Sequence, residues 1–174
     1  MTDISKYWEA LTFISVRHGD QKRISSNIPY IIHPIRVAAI LRSFGFSEQD
    51  NEDLLIAALL HDLIEDTSTT LGEIKQYFNE KIMLIVSELS KPKKKDKEIW
   101  LNSFETKSDE AKIIKMADRI DNLMDIIQIN WKIEKKRIYL EHANIILEKC
   151  GNAHVNLAKK LEQMIEKLSN ELKS

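Results

Sequence analysis

Between residues 48 and 66 the chain reads EQDNEDLLIAALLHDLIED. Its centre, LLIAALL at positions 54 to 60, is apolar on every side of a helix, which marks a helix enclosed by the rest of the molecule rather than one lying on the surface. The run is far shorter than the ~18 residues a membrane-spanning helix needs. Ser47, with Asp50 behind it, is a suitable N-cap, and the helix is expected to run on to Asp66, where its character turns abruptly acidic. The stretches around it keep apolar residues at helical spacing, and only four Gly and three Pro interrupt the 174 residues. An all-α fold follows, a bundle of about seven to nine helices.

Working outward, a first helix is expected from about Ile4 to His18, burying Trp8, Leu11 and Phe13 or their neighbours and stopping at Gly19. A second opens at His33 and Pro34, where proline's missing N–H costs nothing, and ends near Gly45. After the acidic stretch, Thr69 or Thr70 caps a short helix, and another runs from Glu80 to Leu89. KPKKKDK, residues 91 to 97, reads as a surface loop. Ser108 begins a helix carrying AKIIKMADRIDNLMDII, and two more, about Glu134 to Lys149 and Ala153 to Leu172, meet at Gly151. No internal repeat or domain linker is visible, so residues 1 to 174 are expected to form one domain.

Composition narrows the partners. Lys and Arg total 26 and Asp and Glu 27, for a net charge of −1, so neither nucleic acid nor a membrane is an expected partner. A lone cysteine, Cys150, and an N-terminal stretch without secretory character suggest a cytoplasmic setting. The leucine-bearing final helix is expected in the core or in an oligomer contact, such as that of a homodimer, rather than as a cofactor site.

The chemistry concentrates at the acidic end of the buried helix. His61 and Glu65 are four residues apart, as are Asp62 and Asp66, so each pair would share a helical face. A solvated helix end with an ordinary acidic cap is the alternative reading, but acids at a helix C-terminus oppose the helix dipole, a cost that a bound cation reverses. His33 at the mouth of one helix and Asp118 within another could each add a ligand. Alone, His33 would be a packed or capping histidine and Asp118 a partner for a nearby cation. Two imidazoles and two carboxylates together suit Mn²⁺, Fe²⁺ or Zn²⁺ better than a thiolate-seeking metal or a calcium cage.

The order PYIIHPIRVAAIL, AALLHDLIEDTSTTLGEI, AKIIKMADRIDNL resembles the hydrolase domain of the Rel/Spo stringent-response family over about residues 5 to 150. With no room for that family's synthetase and regulatory domains, the chain is similar to its small stand-alone alarmone hydrolases. The resemblance implies an HD-type fold and a metal, typically Mn²⁺, on His33, His61, Asp62 and Asp118. Glu65 and Asp66 would be the catalytic pair that orients water and moves its proton. Arg23, Ser25 and Asn122 fall at substrate-contact positions, Arg23 clamping phosphate or stacking on a base, and Asn122 sharing the Asp118 face of its helix.

The implied reaction is hydrolysis of guanosine 3′,5′-bis(diphosphate), ppGpp, to GDP and pyrophosphate. The family's arginine is usually followed by lysine, where this chain has Ile24. Two alternatives therefore stand beside it: the same chemistry on an adenosine alarmone or NADPH, or a catalytically silent nucleotide-binding regulator. The lysines at 91 to 97 could steer a polyanionic nucleotide but read first as a solvated loop. His18, His142, His154, Trp8, Trp100 and Trp131 are placed outside the site.

Overall fold

The computed structural model describes residues 5–23, 27–94 and 96–173. Those residues form nine α-helices of six residues or more, one single-turn helix and one 3₁₀ turn, with no strand among them beyond an isolated Lys22–Pro29 bridge. The all-α expectation holds. None of these helices is long and apolar enough to cross a membrane. The backbone groups into two compact units, Met1–Arg23 with Ile28–Lys91, and Ile24–Asn27 with Pro92–Ser174.

In the first unit, α1 (Lys6–His18), α2 (Ile32–Ser43) and α6 (Glu80–Leu89) all pack against α3 (Glu48–Leu60). Enclosure on several sides explains why α3 is apolar all round: every residue from Leu54 to Leu60 is buried, each large side chain contributing about 1.5–3 kcal/mol of transfer free energy. The Ser47 hydroxyl accepts the Asp50 N–H, as its cap position requires. The short helices α4 (Leu63–Asp66) and α5 (Leu71–Tyr77) complete the unit, and Thr70 and Glu73 close a reciprocal capping box on α5.

One expectation for this unit needs correction, and one left open is decided. The helix expected to reach Asp66 ends at Leu60, and α4 is a separate turn. Asp62 has φ −100° and ψ −7°, and its carbonyl collects the N–H groups of both Glu65 and Asp66. The buried face of α1 is Tyr7, Ala10, Ile14 and His18, so of the two possibilities left open it is the neighbours of Trp8, Leu11 and Phe13 that face inward; Trp8 is 59% exposed. Both registers satisfy a helical period. Packing on α3 selects the one that encloses Ala10 and Ile14 completely.

In the second unit, α7 (Lys97–Asn102) and a 3₁₀ turn (Ser103–Thr106) occupy a stretch where the sequence reading placed no helix. Next come α8 (Asp109–Gln128), α9 (Ile133–Cys150) and α10 (Val155–Glu171), mutually packed, with α7 against α9. The final helix buries Leu157, Leu161 and Leu168, the core role foreseen for it. Gly151 sets the α9–α10 corner because a Cβ there would lie 2.6 Å from the Leu147 carbonyl oxygen.

Candidate metal centre

Three ligand-type side chains of the first unit converge. Nε2 of His61 lies 3.0 Å and Nε2 of His33 3.4 Å from Oδ2 of Asp62, and the two imidazole rings meet edge to face at 5.1 Å between centroids. Both histidines are 2% exposed. The break between α3 and α4 makes this possible, because it places His61 at the end of one helix and Asp62 at the entry to the next. Nδ1 of His61 is 2.8 Å from the Ala58 carbonyl oxygen, which can only accept, so Nδ1 carries the proton and Nε2 is the atom turned toward Asp62. The donor set fits a divalent metal. Burial acts to raise the Asp62 carboxyl, but His61 and His33 outweigh it and hold Asp62 well below the usual carboxylate range.

Two residues that the sequence reading left out belong to this cluster. The Tyr30 hydroxyl donates to Oδ2 of Asp62 at 2.5 Å, and the Tyr30 ring packs edge-on to His33 and lies 4.8 Å from the ring of buried His18. Nδ1 of His18 is 2.8 Å from Oε1 of Gln21. Burial first, then the charges of Asp62 and Asp66, push the Tyr30 phenol far above its ordinary value, so it is a standing donor. A signal for Tyr30 exists in the sequence: it stands three residues before His33, where the chain turns into α2.

The expected catalytic carboxylates follow on α4. Glu65 accepts the backbone N–H of Lys91 at 2.9 Å, which ties α4 to the segment leaving α6. Asp66 reaches solvent, yet partial desolvation and then the nearby Asp62 charge raise its carboxyl, with the Tyr30 hydrogen bond pulling the other way. Arg23 is buried, in a turn closed by Arg23 N–H to the Ile28 carbonyl and Tyr30 N–H to the Gln21 carbonyl. Ser25, and Ile24 beside it, lie outside the described residues.

In the second unit, Asp118 is buried on α8 between two donors. Nζ of Lys115 is 2.7 Å from Oδ2, and the Asn122 amide donates to Oδ1. Each comes from about one turn away on α8, so the helix itself orients the carboxylate. Asn122, expected at the substrate, thus also holds Asp118.

The HD domain model matches residues 10–146. MESH1 of Xenopus tropicalis, a guanosine-3′,5′-bis(diphosphate) 3′-pyrophosphohydrolase, is 32% identical over 171 residues, covering 94% of each chain. Human MESH1 is 30% identical over 175 residues, covering 95% of this chain and 96% of its own. A solved structure described as "A metazoan ortholog of SpoT hydrolyzes ppGpp and plays a role in starvation responses" superposes with a TM-score of 0.87 at 27% identity, covering 96% of this chain and 97% of that one. The chain belongs to the HD domain family. Its relatives there are the MESH1 proteins and longer bacterial ones, such as the Aquifex aeolicus pyrophosphohydrolase, 36% identical over 134 residues that make up 18% of that protein.

Proposed function

We propose that this chain is a metal-dependent ppGpp hydrolase that removes the 3′-pyrophosphate. Water adds to the phosphorus attached to the ribose 3′ oxygen and the bond between them breaks. The 3′ oxygen takes up a proton, and GDP and pyrophosphate leave. The observation that carries the reading is the His33–His61–Asp62 convergence, with Nδ1 of His61 held by the Ala58 carbonyl, in a chain similar over 94% of its length to a MESH1 pyrophosphohydrolase.

His33, His61 and Asp62, with Asp118 as the ligand added by the family resemblance, would hold the ion, which we take to be Mn²⁺. A divalent ion in such a set supplies charge stabilisation at phosphoryl oxygen and water made acidic enough to ionise near neutral pH. Glu65, fixed by the Lys91 N–H, orients the attacking water. Asp66, whose carboxyl is raised, takes its proton and delivers one to the leaving 3′ oxygen. Tyr30 holds Asp62 in its ligand rotamer. Arg23, Ser25 and Asn122 contact the nucleotide. In this reading both units make one working domain in the cytoplasm, as a monomer or a homodimer.

Ile24, standing where the family has lysine, favours a second reading in which the same residues act on an adenosine alarmone or NADPH. The test is phosphate and pyrophosphate release by Mn²⁺-loaded protein from ppGpp, its adenosine counterpart and NADPH, with a chelator control. Chelator-sensitive pyrophosphate release from ppGpp is expected. Turnover confined to another substrate replaces the substrate and keeps the chemistry, whereas binding without turnover of any makes the chain a nucleotide-binding regulator.

A further inference from the structure

Four rings of the first unit touch in succession, His18, Tyr30, His33 and His61, with 4.8, 5.8 and 5.1 Å between neighbouring centroids. His33 and His61 are candidate ligands, and the Tyr30 hydroxyl bonds to a third, Asp62. His18, the last residue of α1, ends the series. It is 5% exposed, and its Nε2 has no hydrogen-bond partner among the described residues. A buried nitrogen left unpaired costs stability, so a ring needed only to fill space would be better apolar. The imidazole is therefore held for its other nitrogen.

That nitrogen closes a circuit. Nδ1 lies 2.8 Å from Oε1 of Gln21, an oxygen that only accepts, so Nδ1 carries a proton. The Gln21 N–H donates to the His18 carbonyl at 2.9 Å, and the Gln21 carbonyl accepts the Tyr30 N–H at 2.8 Å. The Tyr30 ring then comes back against His18 itself. Gln21 and Tyr30, the two ends of the turn that carries Arg23, are thus held by one side chain. The Lys22–Pro29 bridge continues the turn beyond them. Groups held in this way have less freedom left to lose when a ligand arrives.

We infer that His18 is a positioning residue: its ring backs Tyr30 in the orientation that serves Asp62, and its Nδ1–H locks the turn that carries Arg23. It acts through Tyr30 and Gln21, not on the metal or the substrate directly. Loss of each half is felt in a different place, the ring at the metal centre and the donor at the turn. The metal half rests on His33, His61 and Asp62 holding an ion, as proposed; the turn half does not.

The experiment uses the full chain and two variants that divide the imidazole. His18→Phe keeps a ring and loses the donor, whereas His18→Asn loses the ring and keeps an N–H near the Nδ1 position. In chelator, the Tyr30 amide should exchange with solvent deuterium about tenfold faster in His18→Phe and near the parent rate in His18→Asn. Gln21→Met removes the same bond from the other side and should match His18→Phe, and it decides the point if His18→Phe does not fold. In Mn²⁺ titrations by calorimetry, His18→Asn should bind about tenfold more weakly, and the ring of His18→Phe should restore the parent affinity. In a Tyr30→Phe background His18→Asn should cost little more, because its effect runs through the phenol. Parent-like exchange of Tyr30 in the folded donor-less variants, parent-like metal affinity in His18→Asn, or a metal loss undiminished in the Tyr30→Phe background would each reduce His18 to packing and overturn the assignment. If the parent takes up no Mn²⁺, the metal reading of the centre falls, and the exchange of Tyr30 alone decides His18.

Discussion

Tyr30 and Asp62 share a hydrogen bond of 2.5 Å to the same carboxylate oxygen that faces His33 and His61. The phenol does for Asp62 what the Ala58 carbonyl does for His61: it fixes the side chain before any ion arrives. Tyr30→Phe should therefore fold normally while its Mn²⁺ affinity falls about 10- to 100-fold, the usual consequence of removing a partner that orients a ligand. Metal titration by calorimetry measures it. Parent-like affinity would reduce Tyr30 to packing.

The division of labour along HDLIED is separable. Asp62→Ala and Asp118→Ala should lose bound metal and turnover together, whereas Glu65→Ala should keep the metal and lose turnover, because only the first two are proposed as ligands. Metal content by elemental analysis, read beside pyrophosphate release, distinguishes them. Stoichiometric metal in Asp118→Ala would remove it from the ligand set.

Cys150 should be chemically silent in the native state. Burial pushes its thiol up to about 12, with Lys115, Lys112 and Lys107 only partly opposing, so at pH 8 roughly one molecule in ten thousand carries the thiolate that alkylating reagents need. Iodoacetamide followed by mass spectrometry should leave the folded chain unmodified and label it in denaturant. Rapid labelling without denaturant would show that the end of α9 opens.

Acid should weaken the fold through His142. Desolvation, and then the positive charges of Arg119 and Lys97, lower its pKa below the ordinary histidine value. The unfolded chain takes up a proton near pH 6.5, while the folded chain resists until lower pH. Stability is therefore complete above about pH 6.5 and declines as the pH falls from there toward the depressed native pKa. His142→Gln should flatten that part of a plot of Tm against pH, and an unchanged slope would assign the loss to other groups.

Leu59→Ala, at the enclosed centre of α3, should cost about 2–5 kcal/mol by urea denaturation. Val16→Ala, on the outer side of α1 where Val16 is 74% exposed, should stay within about 0.5 kcal/mol. Similar losses at both positions would contradict the placement of the core.

Much of this was legible from residue order alone. The uniformly apolar run at 54 to 60 could only be an enclosed helix, and the histidines and acids ending it pointed to a cation. What escaped depends on contacts between segments distant along the chain. Tyr30 joins Asp62 because a turn returns Tyr30 N–H to the Gln21 carbonyl, and no local pattern encodes that closure. The register of α1 was decided by α3, not by its own periodicity. The α7 helix was hidden by lysines, although Asp96, which accepts the N–H groups of Glu98 and Ile99, was a cap in plain view. Asn122 shows the opposite limit: its face was foreseen, but not that its amide would be spent on Asp118.

The break after Leu60 also divides the chain's kinetics. Amides upstream of it belong to a helix sealed on several sides, so they should exchange with solvent deuterium only when the whole unit unfolds. Those of α4 sit in a single turn, anchored through side chains by buried Leu63 and by the Lys91–Glu65 and Tyr30–Asp62 bonds, and should exchange through smaller local openings. The steepest change in exchange rate then falls between two consecutive candidate ligands, His61 on the slow side and Asp62 on the fast. An ion bridging them would erase that step, giving a measure of occupancy that needs neither substrate nor turnover.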